Sequence, residues 1–154
     1  MPIAALIVAA GRGHRVGGLS GGIPKQYACL AGRCVLGRTI DLFLAHPAVD
    51  CVQVVIHHDD RHLYDGLIGK GPGRLLPAAI GGETRQDSVL AGLDALAALR
   101  PDIVLIHDAA RPFVNADCIT GVIAAVRASA GAIAAVPLAE TLKRQHTDGT
   151  IAAT

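Results

Sequence analysis

The residues best suited to chemistry in this sequence are three cations placed among glycines near the start of the chain. Arg12, Arg15 and Lys25 lie in or just after a stretch with six glycines between positions 11 and 22. Glycine lets backbone N–H groups approach an anion without hindrance from a Cβ atom, and the cations add positive charge. The apolar run at residues 3–8 predicts a buried strand that ends where the glycines begin. The stretch therefore predicts a polyphosphate-binding loop.

Two common phosphate-binding loops are excluded by spacing. A dinucleotide fingerprint needs a glycine three residues after Gly13, where the chain has Val16, and an acidic residue about 20 positions further on, which is missing. A P-loop needs Gly-Lys-Ser/Thr at the start of a helix, whereas Lys25 lies between Pro24 and Gln26. These departures argue against a Rossmann dehydrogenase and against a P-loop kinase or ATPase.

Composition favours one compact domain that binds small molecules. The chain has 154 residues, of which 51% are hydrophobic, enough to build a core. Fourteen Lys and Arg against 13 Asp and Glu give a net charge of +1, so the broad positive surface that nucleic acid requires is not expected. With two Phe, two Tyr and no Trp, the chain also lacks the aromatics for stacking a single strand.

The chain is expected to be a cytoplasmic protein that does not enter a membrane. Its first apolar segment has about ten residues, too few for a membrane span, and it lacks a basic n-region and a cleavage site. The four cysteines form no C-x-x-C pair, which favours reduced thiols over a disulfide framework or a zinc site.

The hydrophobic pattern predicts alternating strands and helices. Predicted strands cover residues 3–8, 50–56, 75–80, 103–107 and 132–136, and an extended segment covers 140–143 before a turn at Asp148-Gly149. Predicted helices cover residues 35–45 and 60–68, a segment capped by Thr84 or Asp87, and a segment that contains Ile119, Val122, Ile123 and Val126. This order predicts an α/β fold with a mostly parallel sheet.

Three details of this pattern are specific enough to check. Pro77 makes the strand at 75–80 an edge strand, and the continuous apolar run at 103–107 is typical of a central parallel strand. The helix after Thr84 is predicted to bury one apolar face. That face consists of Val89, Leu90, Leu93, Leu96 and Ala97.

Three loops are expected to share one cleft, because parallel strands end at the same edge of a sheet. They are the loop at 11–25, the turn at 81–88 and the turn at 108–111. Asp108 follows a fully apolar strand and is the metal candidate, since Mg²⁺ prefers oxygen ligands beside phosphates. The alternatives for Asp108 are a helix cap or a salt bridge to Arg111.

Other polar residues have simpler interpretations beside the functional ones. Arg15 and Lys25 could be solvated surface charges, and Ser88 could cap a helix. A second group combines three imidazoles with two carboxylates, but it follows a predicted strand and starts a polar helix, so a solvated loop explains it without a metal. This group consists of His57, His58, Asp59, Asp60 and His62.

Three segments together resemble the 2-C-methyl-D-erythritol 4-phosphate cytidylyltransferase family. They are residues 9–15 with 24–27, residues 81–89, and residues 106–112. The resemblance covers essentially the whole chain, including residues 137–143, where Glu140 replaces the family's usual aspartate. It implies a Rossmann-like nucleotidyltransferase fold and transfer of a cytidylyl group from CTP to methylerythritol phosphate, with release of pyrophosphate, for isoprenoid precursor synthesis.

The resemblance also implies a role for each matching residue. Arg15 and Lys25 match the catalytic residues that stabilise the transition state. Asp108, Arg111 and Thr141 match contacts to methylerythritol phosphate, and Asp108 would also hold Mg²⁺. The residues that match the CTP site are Ala9, Ala10, Gly11, Gly13, Gly82, Glu83, Ser88 and Ala109.

The family continues past the equivalent of Thr154, so residues 1–154 are expected to form one CTP-binding domain without the family's C-terminal segment. That segment carries the arm through which family members form homodimers, and in some bacteria a cyclodiphosphate synthase follows it. The sequence leaves open whether the chain continues in either way. It also leaves open two other functions, a ribitol 5-phosphate cytidylyltransferase and a catalytically silent nucleotide-binding module.

Overall fold

The computed structural model describes residues 1–11 and 23–153 of the chain. The predicted site residues Gly13 and Arg15 lie outside the described residues. The described elements, in chain order, are β1 (Ile3–Ala9), β2 (Cys29–Leu30), β3 (Arg33–Cys34), α1 (Val35–Ala45), β4 (Cys51–Ile56), α2 (Arg61–Leu67), β5 (Ala79–Ile80), α3 (Arg85–Leu96), β6 (Ile103–Asp108), α4 (Ala116–Val126), β7 (Arg144–Gln145) and β8 (Ile151–Ala153).

The main sheet has four parallel strands in the order β5-β4-β1-β6. Strand β1 lies inside this sheet, with Ala4 opposite Cys51 of β4 and Ile3 opposite Ile103 of β6. Parallel neighbours must be joined by crossovers, and here α1 lies in the connection from β1 to β4 and α2 in the connection from β4 to β5. The predicted α/β class with a mostly parallel sheet is confirmed.

Strand β1 is buried on both faces, which explains why it is a continuous apolar run. Ile3, Ala5 and Ile7 point to one face and join the core with α1 and α4. Ala4 and Leu6 point to the other face and pack with α3. The sheet therefore has helices on both sides, and it holds the carboxyl ends of its strands at one edge.

Two helices form where the apolar spacing places them. Helix α1 covers the predicted Val35–Ala45 and buries Leu36, Ile40 and Phe43. Helix α4 contains the predicted apolar residues and is capped by Asn115, whose side chain accepts a hydrogen bond from the Cys118 N–H at 2.8 Å. None of the helices in the described ranges is long and apolar enough to cross a membrane.

Helix α3 starts as predicted but buries only part of the predicted face. Thr84 and Asp87 form a reciprocal capping box at its start. The buried residues, however, are Ser88, Gly92 and Leu96, whereas Leu90 is 58% exposed. The predicted face is therefore only partly correct: Leu96 is buried and Val89 packs against the same core, but Leu90 is exposed and the small residues Ser88 and Gly92 are buried instead.

Helix α3 lies unusually close to the sheet at Gly92. A Cβ atom at this position would overlap the Leu6 side chain and lie 2.7 Å from Cγ2 of Val55. Only glycine fits without movement of these neighbours, so Gly92 sets the distance between α3 and strands β1 and β4.

The predicted strand at 75–80 is mostly irregular. Only Ala79–Ile80 pairs with β4, and Leu75 makes an isolated bridge to Val52. Pro77 has no N–H to donate, and its carbonyl oxygen instead accepts a hydrogen bond from Nε2 of Gln53 at 2.9 Å. The edge position of this segment is confirmed.

Two predictions for the second half of the chain are wrong. The run at 103–107 forms β6, but β6 lies at an edge of the described sheet and not in its centre. Residues 132–136 form no strand, and Ile133 and Val136 are each 88% exposed. Alanine has a low strand propensity, and in the described part of the chain this segment has no strand partner.

The last elements form a small hairpin. Residues 140–143 do not form a strand, and pairing begins one residue later, where β7 meets β8 in antiparallel orientation. The predicted turn at Asp148-Gly149 is present, since Gly149 adopts a φ of +90°, which favours glycine.

Candidate active site

A cleft of about 720 Å³ lies at the carboxyl edge of the sheet. It is lined by residues that follow β1, β5 and β6, together with the turn that begins at Lys25. We call it the strand-end cleft. Its lining residues are Val8, Ala9, Ala10, Gly11, Lys25, Gln26, Gly82, Glu83, Thr84, Arg85, Ser88, Asp108, Ala109, Ala110 and Arg111.

The backbone at the carboxyl end of β1 is held in place by the buried side-chain amide of Gln26. Gln26 donates through Nε2 to the carbonyl oxygens of Ala9 at 2.8 Å and Gly11 at 3.1 Å. Its side chain is almost fully buried, so these bonds satisfy two carbonyl oxygens at the point where the chain leaves the sheet. The same bonds fix the position of Lys25, the preceding residue, at the cleft.

The turn after β5 packs tightly against the end of β1. A Cβ atom on Gly81 would lie 2.6 Å from Oγ of Ser88 and 2.7 Å from Cβ of Ala10, so a larger residue would separate the two turns. Ser88 is buried, and its hydroxyl donates to the carbonyl oxygen of Thr84 at 3.0 Å. In this structure Ser88 thus stabilises the first turn of α3 while it lines the cleft.

The end of β6 forms a tight turn on the opposite wall. The Ala109 N–H donates to the carbonyl oxygen of Val8 at 3.1 Å, and the Arg111 N–H donates to that of Asp108 at 3.1 Å. From α1, the buried hydroxyl of Thr39 donates to the carbonyl oxygen of Ala109 at 2.9 Å. These bonds connect the turn to β1 and to α1, and they place Asp108 at the cleft.

Asp108 lies between two arginines. Its Oδ1 is 3.1 Å from Nη2 of Arg85, and its Oδ2 is 3.0 Å from Nε of Arg111. Partial burial raises the pKa of this carboxyl, but the hydrogen bonds and charges of Arg85 and Arg111 outweigh it, so the pKa lies below its ordinary value. Asp108 is therefore ionised at neutral pH, and the salt bridge to Arg111 that the sequence suggested is present.

The strand-end cleft brings together most of the predicted site residues. Ten of them line it, whereas Thr141 is exposed and lines neither this cleft nor the larger cavity beside it. The roles assigned to them by family resemblance remain predictions. The ten residues are Ala9, Ala10, Gly11, Lys25, Gly82, Glu83, Ser88, Asp108, Ala109 and Arg111.

Sequence reasoning assigned no role to three residues that shape this site. Gln26 and Arg85 both belong to the segments that resemble the family, so their polar side chains were visible in the sequence. Thr39 gave no such signal, because it is 70 residues from its partner Ala109 and lies within an ordinary amphipathic helix.

A larger cavity of about 1150 Å³ lies beside β6 and α4. It shares with the strand-end cleft the residues Arg85, Asp108, Ala110 and Arg111, and much of its remaining lining is apolar. The ion-paired cluster around Asp108 therefore forms the border between the two spaces.

The histidine-rich turn after β4 does not line the strand-end cleft. His57, His58 and Asp59 place one ligand atom each within 4.8 Å of one another. Local bonds account for this arrangement, since Nδ1 of His57 accepts the Asp59 N–H at 3.2 Å and Nε2 of His58 lies 2.9 Å from Oδ1 of Asp59. These contacts agree with the polar turn that the sequence suggested.

Comparison with known proteins identifies the family. Residues 3–154 match the family profile of 2-C-methyl-D-erythritol 4-phosphate cytidylyltransferase (IspD). A bifunctional enzyme IspD/IspF of Mesorhizobium japonicum is 49% identical over 152 residues, which cover 99% of this chain and 37% of that protein. A second bifunctional enzyme IspD/IspF, from Paramagnetospirillum magneticum, is 52% identical over 149 residues, which cover 97% of this chain and 37% of that protein. The chain thus spans little more than a third of these relatives.

Solved structures agree with this match. A 4-diphosphocytidyl-2C-methyl-D-erythritol synthase from Anaerococcus prevotii has a TM-score of 0.77 and 27% identity, covering 99% of this chain and 63% of that chain. A 2-C-methyl-D-erythritol 4-phosphate cytidylyltransferase (IspD) from Francisella tularensis has a TM-score of 0.74 and 28% identity, and the match covers 99% of this chain and 65% of that chain. These similarities confirm the predicted nucleotidyltransferase fold, and with the profile match they show that the chain belongs to the 2-C-methyl-D-erythritol 4-phosphate cytidylyltransferase family.

Proposed function

We propose that the protein containing this chain joins CTP to 2-C-methyl-D-erythritol 4-phosphate and releases pyrophosphate. The observation that carries the proposal is the strand-end cleft, where ten predicted site residues from separate turns meet around cations. Family membership supports the same reaction. The product would be 4-diphosphocytidyl-2-C-methyl-D-erythritol, an intermediate of isoprenoid precursor synthesis.

The proposed reaction is an in-line displacement at phosphorus. A phosphate oxygen of methylerythritol phosphate forms a bond to the α-phosphorus of CTP, and the bond from that phosphorus to the oxygen bridging to the β-phosphate breaks. Pyrophosphate leaves with the bonding electrons. Because both reactants are already anionic, the protein contributes positioning and charge neutralisation more than proton transfer.

The described residues supply both contributions. Lys25 lines the cleft at the β1 side, and Arg111 lines it at the β6 side. Their charges would offset the negative charge that develops on the phosphates. Gly82, Glu83 and Ser88 would contact the cytosine base, and Ala109 the ribose. Arg15, which lies outside the described residues, would act with Lys25 on the α-phosphate.

The proposal includes a magnesium ion held by Asp108. A partly exposed carboxylate at a cleft fits this ion, because Mg²⁺ prefers oxygen ligands and usually takes only one or two from the protein, with the rest from water and phosphates. When bound, Mg²⁺ would neutralise triphosphate charge. Each carboxylate oxygen has two lone pairs, so Asp108 would contact the ion while its oxygens still accept from Arg85 and Arg111.

The proposal also covers the oligomeric state, the location and the partners of the protein. By family resemblance, the protein would act as a homodimer in the cytoplasm, and it would bind neither nucleic acid nor a membrane. Thr141 would contact methylerythritol phosphate after a rearrangement of the exposed segment around it, since it lies outside the cleft here.

The test uses the full-length protein with CTP and Mg²⁺, and measures pyrophosphate release. Methylerythritol phosphate and ribitol 5-phosphate are supplied separately as acceptors, and CTP binding is measured by titration calorimetry. We expect pyrophosphate release with methylerythritol phosphate and little with ribitol 5-phosphate.

Two results would overturn the proposal. Turnover with ribitol 5-phosphate alone would make the protein a ribitol 5-phosphate cytidylyltransferase. CTP binding without pyrophosphate release from either acceptor would make it a catalytically silent nucleotide-binding module.

A further inference from the structure

Asp108 accepts one hydrogen bond on each carboxylate oxygen, and each bond comes from a different arginine. Arg85 donates from Nη2 to Oδ1, and Arg111 donates from Nε to Oδ2. The arginines approach from different elements, since Arg85 is the first residue of α3 and Arg111 follows β6. Two cations and one anion leave this cluster with a charge of +1 at the border of the two cavities.

Sharing the carboxylate limits the bonding of Arg111. A guanidinium and a carboxylate pair most favourably through two parallel N–H···O bonds. Arg111 makes one such bond, and in the described part of the chain Nε is its donor to Asp108. Arg85 already donates to the second oxygen, so a second bond from Arg111 would have to share that oxygen with another guanidinium of the same charge.

Within residues 1–11 and 23–153, the remaining side-chain donors of Arg111 are open to a ligand. Its side chain is 75% exposed and lines both the strand-end cleft and the larger cavity. A guanidinium held by Nε presents its two Nη groups outward, which is a geometry suited to a phosphate.

We propose that Arg85 is a positioning residue, which by occupying Oδ1 of Asp108 keeps the Arg111 guanidinium available for the phosphate of the acceptor substrate. The inference rests on the proposed function, which places the phosphate of methylerythritol phosphate at Arg111. Without Arg85, Arg111 closes onto both oxygens of Asp108, and its Nη groups are withdrawn from the substrate.

The first experiment measures steady-state kinetics of Arg85→Ala and Arg85→Lys in the full-length protein. Losing one charge-assisted hydrogen bond to the phosphate raises the KM for methylerythritol phosphate about tenfold in Arg85→Ala. We expect kcat and the KM for CTP to stay within about twofold. Arg85→Lys restores the KM, because an ammonium group also occupies Oδ1.

A matched control separates this effect from a change in α3. Gln86 is also exposed in the first turn of α3, but it does not line the cleft. Gln86→Ala should leave both KM values unchanged. The melting temperatures of all variants are compared to establish that each is folded.

The second experiment distinguishes positioning from direct contact. Binding of methylerythritol phosphate is measured by titration calorimetry, with a non-hydrolysable CTP analogue present, for Arg85→Ala made alone and together with Asp108→Asn. An asparagine cannot hold Arg111 by two oxygens, so Arg85→Ala should have little further effect in the Asp108→Asn background.

Two results would overturn the inference. One is an unchanged KM for methylerythritol phosphate in Arg85→Ala while the wild-type protein turns over normally. The other is an equal loss of binding in both backgrounds, which would mean that Arg85 contacts the substrate itself. Absence of wild-type turnover would instead defeat the proposed function, and the role of Arg85 with it.

Discussion

Lys25 differs from the other described cations of the strand-end cleft because its side chain has no partner among the described residues. Arg85 and Arg111 share Asp108, whereas the exposed side chain of Lys25 makes no hydrogen bond or ion pair with another described residue. Its position is nevertheless fixed, because Gln26 beside it is bonded to the end of β1. As far as the described residues show, the Lys25 ammonium group can therefore bind a ligand without first breaking an ion pair.

We therefore expect Lys25→Ala to lower kcat more than it weakens substrate binding. Removing one donor that stabilises developing charge typically lowers the rate about 10²- to 10³-fold. The measurement is steady-state pyrophosphate release by the full-length protein, with CTP binding followed by calorimetry. Lys70→Ala, in an exposed loop remote from the cleft, is the control. Near-normal turnover by Lys25→Ala would remove this residue from the mechanism.

Many residues of the candidate site were predictable from their positions after predicted strands, because the residues that follow parallel strands must meet at one edge of the sheet. This rule places Gly11, Gly82 and Asp108 together without knowledge of any contact. The partners of Asp108 were only partly predictable. Arg111 is three residues away and was an obvious candidate, whereas Arg85 is 23 residues away and reaches Asp108 only because α3 begins beside the end of β6.

At the scale of elements, the spacing of apolar residues was sufficient to predict a helix where large apolar side chains make its contact with the core. Helix α1 covers the predicted residues because Leu36, Ile40 and Phe43 face the core at helical spacing. Helix α3 was partly misread because Ser88 and Gly92 lie on its buried face together with the predicted Leu96. Apolar content alone does not reveal a helix that packs through small residues.

Glycine 92 provides a direct test of this close packing. We expect Gly92→Ala to lower the free energy of unfolding by about 1–3 kcal/mol, because the added methyl group overpacks the contact with Leu6 and Val55. The measurement is urea unfolding followed by circular dichroism. The destabilisation should appear although alanine is intrinsically a better helix former than glycine.

Gly121 in α4 is the matched control. A Cβ atom there would meet nothing within 4 Å, so Gly121→Ala adds helix propensity without a clash. It should raise the free energy of unfolding by about 0.5–1 kcal/mol. If Gly92→Ala were equally stabilising, the sheet and α3 would have room to separate, and Gly92 would not set their distance.

Strand formation in the second half of the chain was the least predictable feature. Residues 132–136 have the apolar content of a strand, but a strand also needs a neighbour with a free edge in register. In the described residues β6 has such an edge, yet Ile133 and Val136 remain exposed and unpaired. Pairing of this kind depends on the whole arrangement of the sheet and is not encoded in five residues.

For the molecule as a whole, alkaline pH should reduce stability through its two tyrosines. The chain contains only Tyr27 and Tyr64, and both are buried in the same core. Burial raises the pKa of each above its ordinary value of 10.0, and the charge of Asp60 raises that of Tyr27 further. The folded state therefore retains these protons at a pH where the unfolded chain releases them.

The sign of the effect follows from this difference in proton binding. The stability is fully present below pH 10 and falls as the pH rises above it, by up to about 1.4 kcal/mol per pH unit for each tyrosine. The free energy of unfolding is measured by urea titration between pH 8 and pH 11. Absorbance at 295 nm should show less tyrosine ionisation at pH 10 in the folded protein than in the urea-unfolded protein.

Phenylalanine variants separate the tyrosines from other groups that titrate in alkali. Tyr27→Phe and Tyr64→Phe should each reduce the pH dependence, and the double variant should remove the tyrosine contribution. In the described part of the chain the Tyr27 hydroxyl has no hydrogen-bond partner, so Tyr27→Phe should not destabilise the protein at pH 7. A tyrosine that ionises near pH 10 in the folded protein would contradict the prediction, because it would require a hydroxyl in contact with water.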